Sequence, residues 1–312
     1  MVFSLLGGFV LLFLAGEFLV RGASSLAERL GVQPLVIGIV IVGFGTSVPE
    51  LATSVRAALQ GAPGIAMGNV VGSNMANMLL ILGAGALIYP IATRRSHVIR
   101  DGGLGVFGAV LLALAGWYGE LNRFSGIVLL IILVAYLWFL LHDDQKKRRI
   151  EDEANNIERA SLFSSAVLVD ALILAAGIAG VLLGGKFLVD GAVELAHVYN
   201  IDESIVGLTV VALGTSLPEL ATSIIAAYKR QTDLAVGNVL GSNIYNIFGI
   251  GGTTATITPI PITSHMANVD IPFLVVISIA LIGVIIWQHG VSRLTGIAFL
   301  IGYFAYVFAL LT

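Results

Sequence analysis

The chain contains no cysteine in 312 residues, which excludes a disulfide framework, a thiol nucleophile and any cysteine-ligated metal. Charge is almost as scarce. Asp, Glu, Lys and Arg together make up 11% of the sequence, where soluble domains carry about a quarter. Histidine occurs five times, at 97, 142, 197, 265 and 289, always in loops or at the ends of apolar stretches. These positions form no metal cluster and are expected at surfaces or interfaces. What fills the chain instead is apolar: 57% of positions. A protein of this size with so little charge cannot cover itself with polar surface, so an integral membrane protein is the expected class. The net charge of −3 says little beside where the charges lie. Neither a nucleic acid nor an obligate protein partner is expected, and no cofactor.

Ten mostly apolar stretches lie near 3–20, 33–58, 65–88, 102–118, 124–141, 162–188, 204–227, 234–257, 271–288 and 294–311. Each is close to the 20 or so residues that cross a hydrocarbon core as a helix. The first lacks a basic segment before it, and its positive residues Arg21 and Arg29 follow it, so it reads as a retained helix rather than a signal peptide. Positive charge sets the orientation. With the N-terminus outside, 13 of the 16 Lys and Arg residues fall in cytoplasmic loops, leaving only Arg56, Arg123 and Lys186 outside. Both termini are therefore expected outside a plasma membrane, and the charged segment 142–161 is expected as a solvated cytoplasmic linker.

Self-comparison reveals a repeat. A shift of 169 residues lays Gly45-Thr46-Ser47-Val48-Pro49-Glu50-Leu51-Ala52-Thr53-Ser54 on Gly214-Thr215-Ser216-Leu217-Pro218-Glu219-Leu220-Ala221-Thr222-Ser223, with nine of the ten positions identical. The same shift lays Gly68-Asn69-Val70-Val71-Gly72-Ser73-Asn74 on Gly237-Asn238-Val239-Leu240-Gly241-Ser242-Asn243. It also aligns Asn77 with Asn246, Gly16 with Gly185 and Pro90 with Pro259. Two halves follow, 1–141 and 162–312, joined by the linker. Each holds five helices, an odd number, so the second half enters the membrane from the opposite side. The expected fold is an all-α polytopic membrane protein with ten transmembrane helices in two inverted five-helix repeats. Such repeats place a binding site between them near the midplane.

The motifs carry oxygen ligands. Glu50 and Glu219 lie within apolar stretches, where a carboxylate is costly and usually functional. The only nearby base in either stretch is Arg56, whose counterpart is Ile225. Pro49 and Pro218 have no N–H, which frees the carbonyls of Gly45 and Gly214 from their helical donors. Helices 2 and 3, and likewise 7 and 8, are expected to be broken around the site. The hydroxyls of Thr46, Ser47, Thr215 and Ser216 add to an all-oxygen set suited to hard cations such as Ca2+ or Na+. Asn69, Ser73 and Asn77 share one helix face, and Asn238, Ser242 and Asn246 repeat it. Ser73, Asn77, Ser242 and Asn246 are expected to touch an ion. For Asn69, Asn74, Asn238 and Asn243, ordinary interhelical bonding is an equal expectation. Asp170 is expected to face cytoplasmic water.

The two GTS-x-PE and two GN-x-x-GSN segments resemble the α-repeats of the Na+/Ca2+ exchanger family, across essentially the whole chain. The resemblance implies Na+/Ca2+ antiport by alternating access, with Ca2+ held by Glu50, Glu219, Thr46 and Thr215. It implies Na+ sites at the same glutamates with Ser47, Ser73, Ser216, Ser242 and the carbonyl of Ala212, and a central polar pair Asn77 and Asn246. Some members carry aspartate where this chain has Asn246, and the missing carboxylate bears on any K+-dependent or proton-linked mode. Sliding of helices 1 and 6 over the other eight is implied on the same footing. Ca2+/H+ antiport and a cation channel are the alternatives. An intramembrane hydrolase lacks the paired nucleophile and base at membrane depth that it would need.

Overall fold

The computed structural model describes residues 2–61, 63–155, 164–198 and 212–311. Nearly all of them are helical, because in a bilayer a helix is the simplest way to satisfy every backbone polar group within its own segment. In chain order the helices are α1 (Val2–Leu30), α2 (Pro34–Thr46), α3 (Val48–Leu59), α4 (Gly64–Ile88), α5 (Arg95–Tyr118), α6 (Arg123–Asn155) and α7 (Ser165–Val198). After them come α8 (Ala212–Thr215), α9 (Leu217–Tyr228), α10 (232–257), α11 (Met266–Gln288) and α12 (Arg293–Leu311). Among the described residues seven helices are long and apolar enough to cross a membrane, or eight when the bent pair α2 and α3 counts as one span. The apolar stretch 204–227 falls partly outside the described residues. Helix α10 is not among the seven, although it carries the same polar positions as α4.

Burial sorts these helices by place. Of its membrane-length window α4 buries 72%, whereas α1, α5, α6, α7 and α11 bury between 28% and 39%. A helix buried most of the way round lies inside the bundle, and one buried on a single face turns its remaining apolar surface to lipid. Trp117 and Tyr118 at the end of α5, and Trp287 at the end of α11, are strongly exposed. Amphipathic rings at helix ends suit the headgroup level of a bilayer. The central apolar core gathers Leu35, Met67, Met75, Leu112, Ile244 and Phe248 from α2, α4, α5 and α10. A second core joins Leu12, Leu19 and Val20 of α1 to Leu174 and Val181 of α7 and to Ile225 of α9.

The two halves meet in equivalent contacts. Short strands β1 (Ile91–Ala92), β2 (Glu120–Leu121), β3 (Ile260–Pro261) and β4 (Gly290–Val291) pair antiparallel as β1 with β4 and β2 with β3. Ile91 pairs with Val291 and Leu121 with Ile260, so each half gives one strand to each ribbon. Helices α1 and α7, which correspond across the repeat, lie side by side and antiparallel. A β-carbon on Gly8 would lie 2.8 Å from the nitrogen of Leu188, and one on Gly177 would lie 2.4 Å from the nitrogen of Leu19. Gly8 and Gly177, like Leu19 and Leu188, are 169 residues apart. Absence of a side chain at both glycines is what lets the two backbones touch.

The breaks differ from expectation in one respect. At Ser47 the chain turns by 43° between α2 and α3, with φ −83° and ψ 7°. Ser216, between α8 and α9, has φ −88° and ψ 4°. Both breaks sit immediately before the proline-bearing first turn, where a missing N–H costs nothing. Helices 3 and 8, by contrast, are not broken: α4 and α10 run through, each with one π turn, at Ala76–Ile81 and Tyr245–Gly251. Neither contains a proline within the site-bearing stretch, so no backbone donor is lost there. A π turn inserts one residue, widening the helix locally and re-aiming its side chains.

Two further expectations are corrected. Asp170 is buried and ion-paired with Arg29 rather than facing water, and His97 is buried rather than at a surface. The segment after residue 141 begins as helix, since α6 continues to Asn155. Asp144 within it accepts a hydrogen bond from the backbone nitrogen of Gln33 at 3.2 Å.

Candidate ion-binding site

The first turns of α3 and α9 carry Glu50 and Glu219, and both carboxylates are essentially sealed from solvent, at 1% exposure. Each is held from the opposite half. Ser47 donates its hydroxyl to Glu219 Oε1 at 3.0 Å, and Ser216 donates to Glu50 Oε1 at 3.2 Å. The two GTS-x-PE motifs thus interlock reciprocally, each break supplying a donor to the other's acid. Placement at a helix N-terminus also favours a carboxylate, because the unpaired N–H groups of the first turn present positive charge.

One oxygen of each acid, Glu50 Oε2 and Glu219 Oε2, has no hydrogen-bond partner among the described residues. The same holds for Asn77 Oδ1 and for both amide atoms of Asn246. Both asparagines are 1% exposed, where an unpartnered polar atom costs about 1–3 kcal/mol. Five such atoms are concentrated on the four motif positions of greatest sequence interest. A cation between them would find acceptor oxygens from both acids, from Asn77 and from Asn246.

The remaining candidates divide. Thr46 is fully buried, with its hydroxyl 3.0 Å from the carbonyl of Val42 and 3.2 Å from Asn238 Oδ1. Thr215 is half-buried in α8. Ser73 donates to Asn69 Oδ1 at 3.3 Å, and Ser242 donates to the carbonyl of Gly43 at 3.4 Å. Both serines are buried, and both hydroxyls retain lone pairs that can face a cation. Asn77 donates through Nδ2 to Asn243 Oδ1 at 3.0 Å, which leaves its own oxygen free. Ala212 opens α8, and the residues before it lie outside the described ones. The close seating of α10 on α2 brings Ser242 to Gly43. A β-carbon on Gly237 would fall 2.6 Å from the carbonyl oxygen of Leu35.

Asn69 and Asn238 resolve as interhelical bonds. Asn69 Nδ2 donates to the carbonyl of Glu50 at 3.1 Å and to Ser54 Oγ at 2.9 Å. Asn238 Nδ2 donates to the carbonyl of Glu219 at 3.2 Å and to Ser223 Oγ at 2.9 Å. The two serines escape a reading by motif alone. Their signal is that they close the two repeated ten-residue segments, four residues after each glutamate, which puts acid and hydroxyl on one helix face.

A bundle of apolar helices enclosing two interlocked acids between equivalent halves defines an integral, multi-pass membrane transport protein. The protein-family model described as "Sodium/calcium exchanger protein" matches residues 1–142 and 169–312. "Sodium/calcium exchanger MaX1" of Methanosarcina acetivorans is 32% identical, with 98% of this chain and 97% of that protein covered. "Inner membrane protein YrbG" of Escherichia coli is 35% identical over 95% of this chain and 92% of its own length. A structure of the sodium-calcium exchanger NCX_Mj, soaked without Na+ or Ca2+, superposes with a TM-score of 0.87 at 31% identity, covering 99% of this chain and 98% of the other. The chain belongs to the sodium/calcium exchanger family.

Proposed function

We propose that the protein is a secondary active antiporter that exchanges Na+ for Ca2+ across the plasma membrane by alternating access. The observation that carries this reading is the reciprocal pair Ser47 to Glu219 and Ser216 to Glu50, which leaves one carboxylate oxygen of each acid for a cation. Membership of the family and the names of the relatives agree with the ions. Ca2+ is assigned to Glu50, Glu219, Thr46 and Thr215. Na+ is assigned to the same glutamates with Ser47, Ser73, Ser216, Ser242 and the carbonyl of Ala212, and Asn77 and Asn246 complete the centre. The antiparallel contact of α1 with α7 and the two shared ribbons support a ten-helix arrangement in two inverted halves, 1–141 and 162–312, and the bias of Lys and Arg toward one set of loops puts both termini outside.

Exchange follows from shared ligands. Two ionised glutamates carry about −2 charge, which either one Ca2+ or several Na+ neutralise. Both ions need the same oxygens, so they compete. Crossing without an ion would carry two uncompensated carboxylates through a low-dielectric interior, at several kcal/mol each. That penalty suppresses uncoupled return and enforces antiport. The test is equilibrium binding of radiolabelled Ca2+ to the purified protein. Competitive displacement by Na+, with binding lost in Glu50→Gln, is expected. Ca2+ binding that Na+ leaves untouched would overturn the reading.

A further inference from the structure

Ser54 and Ser223 lie one turn beyond the glutamates, fully buried, and neither is among the ion ligands assigned above. In both halves the serine hydroxyl and the glutamate's own carbonyl receive the two N–H bonds of a single asparagine from the neighbouring helix. The distances repeat closely: 2.9 and 3.1 Å for Asn69, 2.9 and 3.2 Å for Asn238. The orientation of each amide is fixed by chemistry, because a peptide carbonyl can only accept, so Nδ2 must face it. With both N–H groups committed, the amide oxygen is left to point elsewhere, and here the halves part. Asn69 Oδ1 accepts from Ser73 within its own half, whereas Asn238 Oδ1 lies 3.2 Å from the hydroxyl of Thr46 in the other half.

We infer that Ser54 and Ser223 are positioning residues that lock Asn69 and Asn238, and that each lock serves a different ion. Each serine holds its asparagine rigid, and the asparagine then fixes two things at once: the backbone of the glutamate and one hydroxyl ligand. On the first side that hydroxyl is Ser73, assigned to Na+. On the second it is Thr46, assigned to Ca2+. Replacing the serine removes one of the two acceptors of the amide, frees it to rotate, and loosens the hydroxyl at its far end. The glutamate is shared by both ions, so its loosening alone would weaken both equally. The hydroxyl is not shared, so the two locks differ in which ion suffers more.

This rests on the Na+/Ca2+ reading, and the test separates the two. Half-saturating Na+ and Ca2+ concentrations are measured for exchange in proteoliposomes with wild type, Ser54→Ala and Ser223→Ala, alongside the melting temperature of each protein without ions. Ser54→Ala is expected to raise half-saturating Na+ about fivefold, the worth of one hydrogen bond, with a smaller effect on Ca2+. Ser223→Ala is expected to show the reverse preference. Variants that shift both ions equally, or only the melting temperature, make the serines structural and overturn the inference. Should one variant not fold, the other still decides through its own ion preference. Wild type that shows no Na+-dependent Ca2+ movement fails the proposed function instead.

Discussion

Glu50 and Glu219 are the residues on which charge balance depends. A carboxamide in place of either has the same shape but removes one of two charges that a divalent ion must meet in a sealed interior. Removing one partner of a buried charged contact costs about 3–5 kcal/mol, so Glu50→Gln and Glu219→Gln are each expected to lower Ca2+ affinity by at least about 100-fold. Binding of radiolabelled Ca2+ measures it directly. Ser47→Ala removes only one hydroxyl and its bond to Glu219. It is expected to cost about fivefold, by the same measurement. At this scale much of the site is legible in the sequence. Glu50 and Glu219 announce themselves as carboxylates in apolar stretches, and the repeat doubles the signal. That Ser47 serves Glu219 rather than its neighbour Glu50 is not legible. The cross-bonding depends on how the halves are set together, which no local spacing encodes. Ser54 and Ser223 are visible as repeated positions, but their bonds to Asn69 and Asn238 are not, since a serine on a helix most often bonds its own backbone.

Among the elements, the contact between α1 and α7 is the most demanding. At Gly177 a β-carbon would stand 2.4 Å from backbone rather than from a side chain that could turn aside. Gly177→Val must therefore separate the two helices. The acids sit on α3 and α9, so Ca2+ binding is expected to survive while the exchange rate falls at least tenfold, about 1.4 kcal/mol or more on the rate-limiting barrier. Retained exchange at the wild-type rate would show that this close approach is dispensable. The proline breaks in α2/α3 and α8/α9 could be read from residue chemistry, because a proline removes a particular donor. The π turns in α4 and α10 could not. No residue type calls for a π turn, and Asn77 and Asn246 lie within them, so the regular helix spacing from which the stripe is read misjudges the backbone beneath it.

For the whole molecule the question is inversion. The 169-residue shift predicts that equivalent loops emerge on opposite sides, and the absence of cysteine makes the test clean. Glu120 and His289 are exposed equivalents at the ends of α5 and α11. Single Glu120→Cys and His289→Cys variants in sealed, oriented vesicles are expected to react with a membrane-impermeant maleimide from outside and from inside, respectively. Labelling of both from one side would contradict the inverted arrangement. The sequence argues for inversion because each half holds five apolar stretches, an odd number, so two near-identical motifs are expected to enter the membrane from opposite sides. The ribbons β1 with β4 and β2 with β3 are not legible in it, since two-residue strands leave no periodicity to detect.

The central claim is that an outward Na+ gradient drives Ca2+ inward through Glu50 and Glu219. Purified protein in liposomes loaded with Na+ is diluted into Na+-free or Na+-containing buffer, and uptake of radiolabelled Ca2+ is followed. The account predicts uptake only in the Na+-free buffer, and none above background in Glu50→Gln. Uptake that ignores the Na+ gradient and follows a pH step instead would contradict it.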